Sequence, residues 1–241
     1  DTDTDDQTLS FNTGTNVLSI SGSSSSTVDL SSLSSSAGAS NIGGLSDGSY
    51  GSGTSNTFLG SNSGASNIAG GNYNVGLGIN SLYSSTNSDA NIAIGYETMR
   101  NGTTLNHYNV AIGYKAMWGP STNYTGSSHN VGIGFYSLYD VNGGSYNTSL
   151  GSYSLQNTSD GTGNSSIGYN SLGLNTTGDY NTAIGYQAGY SNTTADKSVF
   201  IGYQAGYQET YGERLYIANS STTTPLIYGE FNNNRLKIHG K

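Results

Sequence analysis

Cysteine is absent from this 241-residue chain, which removes disulfides and thiolate metal sites. Charge is scarce as well. Asp, Glu, Lys and Arg together make up 9%, and 7 basic residues against 15 acidic ones give a formal net charge of -8. Such a balance offers no basic footprint for nucleic acid or for an acidic membrane surface. No apolar run approaches the length that spans a bilayer, so membrane insertion is not expected. No signal-like segment opens the chain at Asp1, and the expectation is that any targeting segment or anchor has been removed or lies on another part of a longer parent.

Catalytic signatures are missing too. There is no Gly-x-Ser-x-Gly elbow, P-loop or dinucleotide fingerprint, and His107, His129 and His239 are not at metal-ligand spacing. No cofactor, metal or enzymatic activity is expected. The nearest approach to a catalytic pair is Asp179 and Asp196, two loop carboxylates in nearby repeats. The opening run DTDTDDQ lacks the Gly and the distal Glu of a calcium loop and reads as a solvated acidic terminus.

What is present is a repeat. NTSLGSYSL, NSSIGYNSL, NTAIGYQAG and SVFIGYQAG follow one another at 17-residue intervals from Asn147 to Gly206. Each unit has Asn (once Ser), two small or β-branched residues, Ile or Leu, Gly, usually an aromatic, a polar residue, a small residue, then Leu, Met or Gly. The same rule upstream brings the total to nine units, marked by Gly60, Gly78, Gly95, Gly113, Gly134, Gly151, Gly168, Gly185 and Gly202. Steps between them are 18, 17, 18, 21, 17, 17, 17 and 17, so the phrase keeps its length while the joining segment absorbs the change. A fixed period of this size marks a solenoid.

Helical coils are excluded because the units consist of Gly, Ser, Thr, Asn, Tyr and β-branched residues, with almost no Glu, Lys, Arg or Gln. In NIAIGYETM, Ile92 and Ile94 alternate with Ala93, the period-2 pattern of a strand with one packed face. The expected fold is therefore all-β, a parallel β-solenoid or β-roll of nine coils, with two short strands and two turns per coil.

Three columns follow from stacking. Leu59, Leu77, Ile94, Ile112, Ile133, Leu150, Ile167, Ile184 and Ile201 are expected to form an aliphatic ladder inside. Asn56, Asn74, Asn91, Asn109, Asn130, Asn147, Asn164 and Asn181 are expected to form an amide ladder at a turn, each amide donating to and accepting from the next. The rings after the Gly (Tyr96, Tyr114, Phe135, Tyr169, Tyr186 and Tyr203) read first as packing between neighbouring chains and second as a sugar-stacking platform. A further aromatic set, Tyr83, Trp118, Tyr139, Tyr190 and Tyr207, opens the variable segment. The longest such segment, Trp118 to His129, carries the sole Trp and Tyr124. Trp118, Tyr124, Tyr83 and Tyr139 are the candidate contacts to a cell-surface glycan or receptor.

The phrases NVAIGYKAM, NIAIGYETM and NTAIGYQAG resemble the head repeats of trimeric autotransporter adhesins, over roughly Asn56 to Gly206. That resemblance implies a left-handed parallel β-roll with three chains side by side. The family's usual repeat is shorter, and Tyr after the Gly is not its norm. RLYIANSSTTTPLIYGEFNNNRLKIHG, from Arg214, is similar to segments of phage tail fibres that lie before a self-cleaving intramolecular chaperone.

The chain divides into an N-terminal β stem or oligomerisation segment (1–35), a Ser/Gly-rich linker or capping coil (36–55), the roll (56–206) and a C-terminal β cap (207–241). Stem strands are expected at TLSF, NVLSISG and TVDL, and cap strands at Leu215 to Ala218, Leu226 to Phe231 and Leu236 to His239. Three aliphatic side chains per coil return less than the entropy of ordering it, so a homotrimer is expected. The functional expectation is a non-enzymatic extracellular adhesive fibre, on a virion appendage or a cell surface. A self-polymerising filament with end-to-end assembly and an ice-binding or glycan-binding solenoid are the alternatives.

Overall fold

The computed structural model describes residues 8–12, 17–21, 26–29, 55–66, 71–102, 106–120 and 126–240. The chain forms two compact units, 1–44 and 45–241. In the first, β1 (Thr8–Asn12), β2 (Val17–Ser21) and β3 (Ser26–Asp29) make an antiparallel sheet in the order β1-β2-β3, at the places where alternation predicts strands. The linker or capping coil expected over 36–55 lies, apart from Ser55, outside the described residues.

The second unit is a parallel β-solenoid of nine coils. Each coil contributes one three-residue strand: β4 (Thr57–Leu59), β5 (Val75–Leu77), β6 (Ile92–Ile94), β7 (Val110–Ile112), β8 (Val131–Ile133), β9 (Thr148–Leu150), β10 (Ser165–Ile167), β11 (Thr182–Ile184) and β12 (Val199–Ile201). Every strand pairs in parallel with the next, residue on equivalent residue, so Ile167 lies beside Leu150 and Ile184. β13 (Arg214–Ile217) continues the parallel sheet, and β14 (Ile227–Glu230) and β15 (Arg235–Ile238) add to it antiparallel.

One strand per coil replaces the expected two. Beyond the Gly the backbone enters the left-handed region at alternate residues, as at Lys115 (φ 52) and Met117 (φ 51), which no strand tolerates. Hydrogen bonding nonetheless continues round the coil. Lys115 N–H donates to Tyr96 C=O at 2.9 Å on one side, and Met117 N–H donates to Ser137 C=O at 2.9 Å on the other. Ordinary residues held at positive φ cost about 1–2 kcal/mol each, and these coil-to-coil bonds offset that cost.

The nine repeat glycines line up. Each has φ between 116° and 146°, and a Cβ on any one of the first eight would strike the backbone of the next, as at Gly60, where it would sit 2.6 Å from the Gly78 carbonyl. No other residue fits both that φ and that approach.

The aliphatic ladder is in register, but it faces outward, which corrects the expectation of a core role. Ile167 and Ile184 are each 41% exposed and Ile201 36%, and Ile94 and Ile112 are also only partly covered. A three-residue strand turns its first and last side chains one way and its middle one the other. Here the middle residue points inside: Phe58, Gly76, Ala93, Ala111, Gly132, Ser149, Ser166, Ala183 and Phe200.

The interior is so narrow that it takes about one large side chain per coil. In six of the seven coils whose middle residue is small, the position four after the Gly supplies the bulk, as Leu82, Met99, Met117, Leu138, Leu155 and Leu172, all buried. Where it is Phe, that position is Gly, with Gly64 facing Phe58 and Gly206 facing Phe200; the Ala183 coil is small at both places, and Phe200 of the next coil packs against its Gly189. Leu already occupies this site at φ 48–52 in other coils, so its backbone accepts a side chain. Phe200→Ala is expected to cost about 3–5 kcal/mol and Gly206→Leu about 1–3 kcal/mol, whereas the double variant recovers most of the loss. Urea unfolding of the four proteins in a double-mutant cycle measures this, and additive losses would refute it.

Candidate functional site

The amide column at the turn before each strand is continuous and buried. Asn91, Asn109, Asn147, Asn164 and Asn181 are fully shielded from solvent. In the Asn147 step, its Oδ1 accepts the backbone N–H of Asn164 at 2.9 Å and the Asn164 amide at 3.1 Å. Its Nδ2 donates to Gly161 C=O at 2.7 Å, and its own N–H reaches back to Asn130 Oδ1 at 2.8 Å. The same pattern joins Asn56 to Asn74, Asn91 and Asn109, and ends where Ser198 N–H donates to Asn181 Oδ1 at 2.9 Å. Only an amide has both the acceptor and the donor this step needs.

A second ladder, not anticipated from the sequence, runs the other way. Six residues before the Gly in seven coils, the backbone N–H donates to the side chain of the following coil. Asn72 gives to Asp89 (2.7 Å), Asp89 to His107 Nδ1 (3.1 Å), His107 to Ser128 (3.3 Å), and Ser128 to Ser145 (3.2 Å). Ser145 then gives to Thr162 (3.4 Å), Thr162 to Asp179 (2.7 Å) and Asp179 to Asp196 (2.8 Å). The signal was available, since every residue at that phase has a short side chain with an acceptor. It escaped notice because Asn, Asp, His, Ser and Thr share that capacity without sharing a letter. Asp179 and Asp196, the pair singled out for acid chemistry, are both acceptors in this ladder.

Outside, rings stack in columns. Tyr96, Tyr114 and Phe135 follow one another at 5.3 and 5.1 Å with planes within 12°, and Tyr169, Tyr186 and Tyr203 do so at 5.2 and 5.4 Å with planes within 13°. Such rings face each other from coil to coil, and each remains between 40% and 51% exposed.

Three of the four candidate contact residues fall in a single column. Tyr83, Arg100, Trp118 and Tyr139 occupy the same phase of four successive coils. Arg100 lies over the Tyr83 ring at 5.1 Å, and Trp118 stacks on Tyr139 at 5.2 Å and 9°. The fourth, Tyr124, lies outside the described residues.

At the centre of this patch stands Glu97, whose side chain is 14% exposed. It accepts the Trp118 indole N–H at 3.2 Å and faces Lys115 Nζ at 3.4 Å and Arg100 Nε at 3.6 Å. Lys115 also lies 5.6 Å from the ring centres of both Tyr114 and Trp118. Partial burial alone would push the Glu97 carboxyl up, but the Trp118 hydrogen bond and the Lys115 and Arg100 charges outweigh it and hold its pKa below the usual value. The result is a rigid aromatic surface with a fixed cluster of charges.

Among the described residues no group of His, Cys, Asp or Glu is arranged to hold a metal, and no helix is long and apolar enough to cross a membrane. Comparison with protein-family models, curated proteins and solved structures finds no match.

Replacing Asn147 by Leu strands the Asn164 N–H and the Gly161 C=O in a buried site, and a loss of about 3 kcal/mol is expected in denaturant unfolding. An unchanged midpoint would show that the ladder contributes nothing. Glu97 yields a pH signature. Because its folded pKa is lowered, the stability it contributes is present above the unfolded value near ~4.3 and is lost only as pH falls through the lowered one. Fluorescence of the sole tryptophan, Trp118, should therefore titrate with a midpoint below that of a free glutamate, and Glu97→Gln should flatten the curve.

Proposed function

We propose that this chain is a non-enzymatic structural rod that associates laterally with copies of itself, as a homotrimer, and serves attachment outside the cell in the manner of a phage tail fibre or bacterial surface adhesin. The observation that carries this reading is the outward aliphatic face. Leu59, Leu150, Ile167, Ile184 and Ile201 are between 36% and 46% exposed on in-register strands, with the half-exposed Tyr column alongside. Nine coils at ~4.8 Å make that stripe about 43 Å long. A soluble protein seldom leaves so long an apolar stripe uncovered, and a second identical stripe is the surface it matches best.

Lateral association also supplies what the single column lacks. The interior of each coil buries little more than one large side chain, too little to offset the entropy of ordering a whole coil. Covering the outward stripe adds apolar burial to every coil. The repeat phrases that resemble trimeric adhesin heads support three copies rather than two.

Attachment is assigned to the Tyr83, Trp118 and Tyr139 column with the neighbouring segment that holds Tyr124. Rigid rings and fixed charges on the outside of a rod suit recognition of a glycan or surface receptor.

Light scattering of the purified protein in about 0.5 M salt, which screens charge-driven contacts, is expected to give a mass near three times 25.0 kDa. Ile167→Lys together with Ile184→Lys should release monomers with weaker β-sheet circular dichroism and a lower unfolding midpoint than the parent. A stable native monomer from the unsubstituted chain would sink the proposal. For attachment, Trp118→Ala with Tyr124→Ala should abolish binding on a glycan array while the mass is unchanged.

A further inference from the structure

Among the described residues the twelve-stranded sheet ends on β15, whose outer side has no neighbouring strand there and whose four residues are all exposed. Its free N–H and C=O groups form a template for one more strand. Register across the last three strands shows which strand would fit. On one face Arg214, Glu230 and Arg235 stand side by side, with Arg235 3.3 Å from the Glu230 carboxylate, so charges alternate plus, minus, plus. In the next row Phe200, Tyr216, Tyr228 and Lys237 follow one another, so the interior column of the roll emerges into solvent at Lys237. The opposite face carries Leu236 and Ile238, 65% and 66% exposed.

The strand that completes this edge has carboxylates at every second residue, opposite Arg235 and Lys237, with small β-branched residues between them. Pairing β15 with the β15 of another copy would set like charges against each other. The chain itself contains the matching sequence in Asp1-Thr2-Asp3-Thr4-Asp5. Charge is distributed accordingly: 4 of its 15 acidic residues fall in the first six positions, and 4 of its 7 basic residues, Arg214, Arg235, Lys237 and Lys241, fall in the last 28.

We infer that β15 is extended by strand addition from a second copy, whose Asp1–Asp5 run pairs along the free edge and sets its carboxylates against Arg235 and Lys237. The contact joins unlike surfaces of two copies, so it does not close on itself and propagates end to end. It is independent of lateral association along the aliphatic stripe.

The chain has no cysteine, so introduced thiols are unique. Full-length Asp3→Cys protein is mixed with full-length Lys237→Cys protein and treated with a short bismaleimide. The mixed dimer is expected in at least tenfold higher yield than with Lys197→Cys as the second partner. Adding Arg235→Glu to the Lys237→Cys copy should lower the yield at least fivefold, and adding Asp1→Lys and Asp5→Lys to the other copy should restore it. Circular dichroism confirms that each variant folds, and about 0.5 M salt should lower the yield of the parent pair. A mixed yield equal to the control overturns the inference, as does cross-linking confined to a double variant within one copy, or a yield indifferent to charge reversal. A monomeric result in light scattering leaves this test intact, so the two readings fail separately.

Discussion

Everything in the solenoid depends on each coil keeping exact phase with the next. A coil of this kind has no internal hydrogen-bond ladder comparable to that of a helix, so many of its backbone groups are satisfied by groups one coil away. Loss of phase at one point would strand buried donors and acceptors there. Three devices hold the phase: the stacked glycines, whose carbonyls leave no room for a Cβ, the buried asparagine ladder, and the oppositely directed ladder through Asp89, His107, Ser128 and their equivalents. Because the two side-chain ladders point in opposite directions, a coil between two others is tied to both by side chains as well as by backbone.

That constraint sets the character of the interior. Coils lying one strand spacing apart leave space for about one large residue per level, and the small residues Ala, Ser and Gly fill the rest. Some buried hydroxyls pair with one another, as with Ser137 and Ser149 at 2.7 Å and Ser154 and Ser166 at 2.8 Å. A column so lean cannot house all its aliphatic residues, and Ile167, Ile184 and Ile201 are left outside as a result. The apolar exterior is thus a consequence of the narrow interior, and it is the feature on which the proposed self-association rests.

Stacking also governs the surface. Any residue type that recurs at one phase becomes a column, so isolated rings in the sequence turn into continuous aromatic stripes. The candidate attachment patch owes its rigidity to this. Trp118 is fixed by Tyr139 on its face and by Glu97 at its N–H, and Glu97 in turn holds Lys115 and Arg100. A surface prepared in this way loses little side-chain entropy on meeting a partner.

Much of this was legible in the residues themselves. The recurring Ile-Gly pair specified the coil count, the parallel register and the amide column, because a glycine and an asparagine at fixed phase each meet a need that no other residue meets. Strands at the C-terminal end were placed within a residue or so by alternation and by Pro225. Alternation could not say which face of a three-residue strand was inside, and the larger residues were assigned to the wrong one. Only the closed coil decided that, since the available width, set by the path of the left-handed turn residues, admits Ala93 or Ser166 at the strand centre and turns Ile94 and Ile167 outward. Likewise the bringing together of Tyr83, Arg100, Trp118 and Tyr139 was a matter of tertiary phase, because segments of unequal length separate them in the chain and only the stacking of coils makes them neighbours.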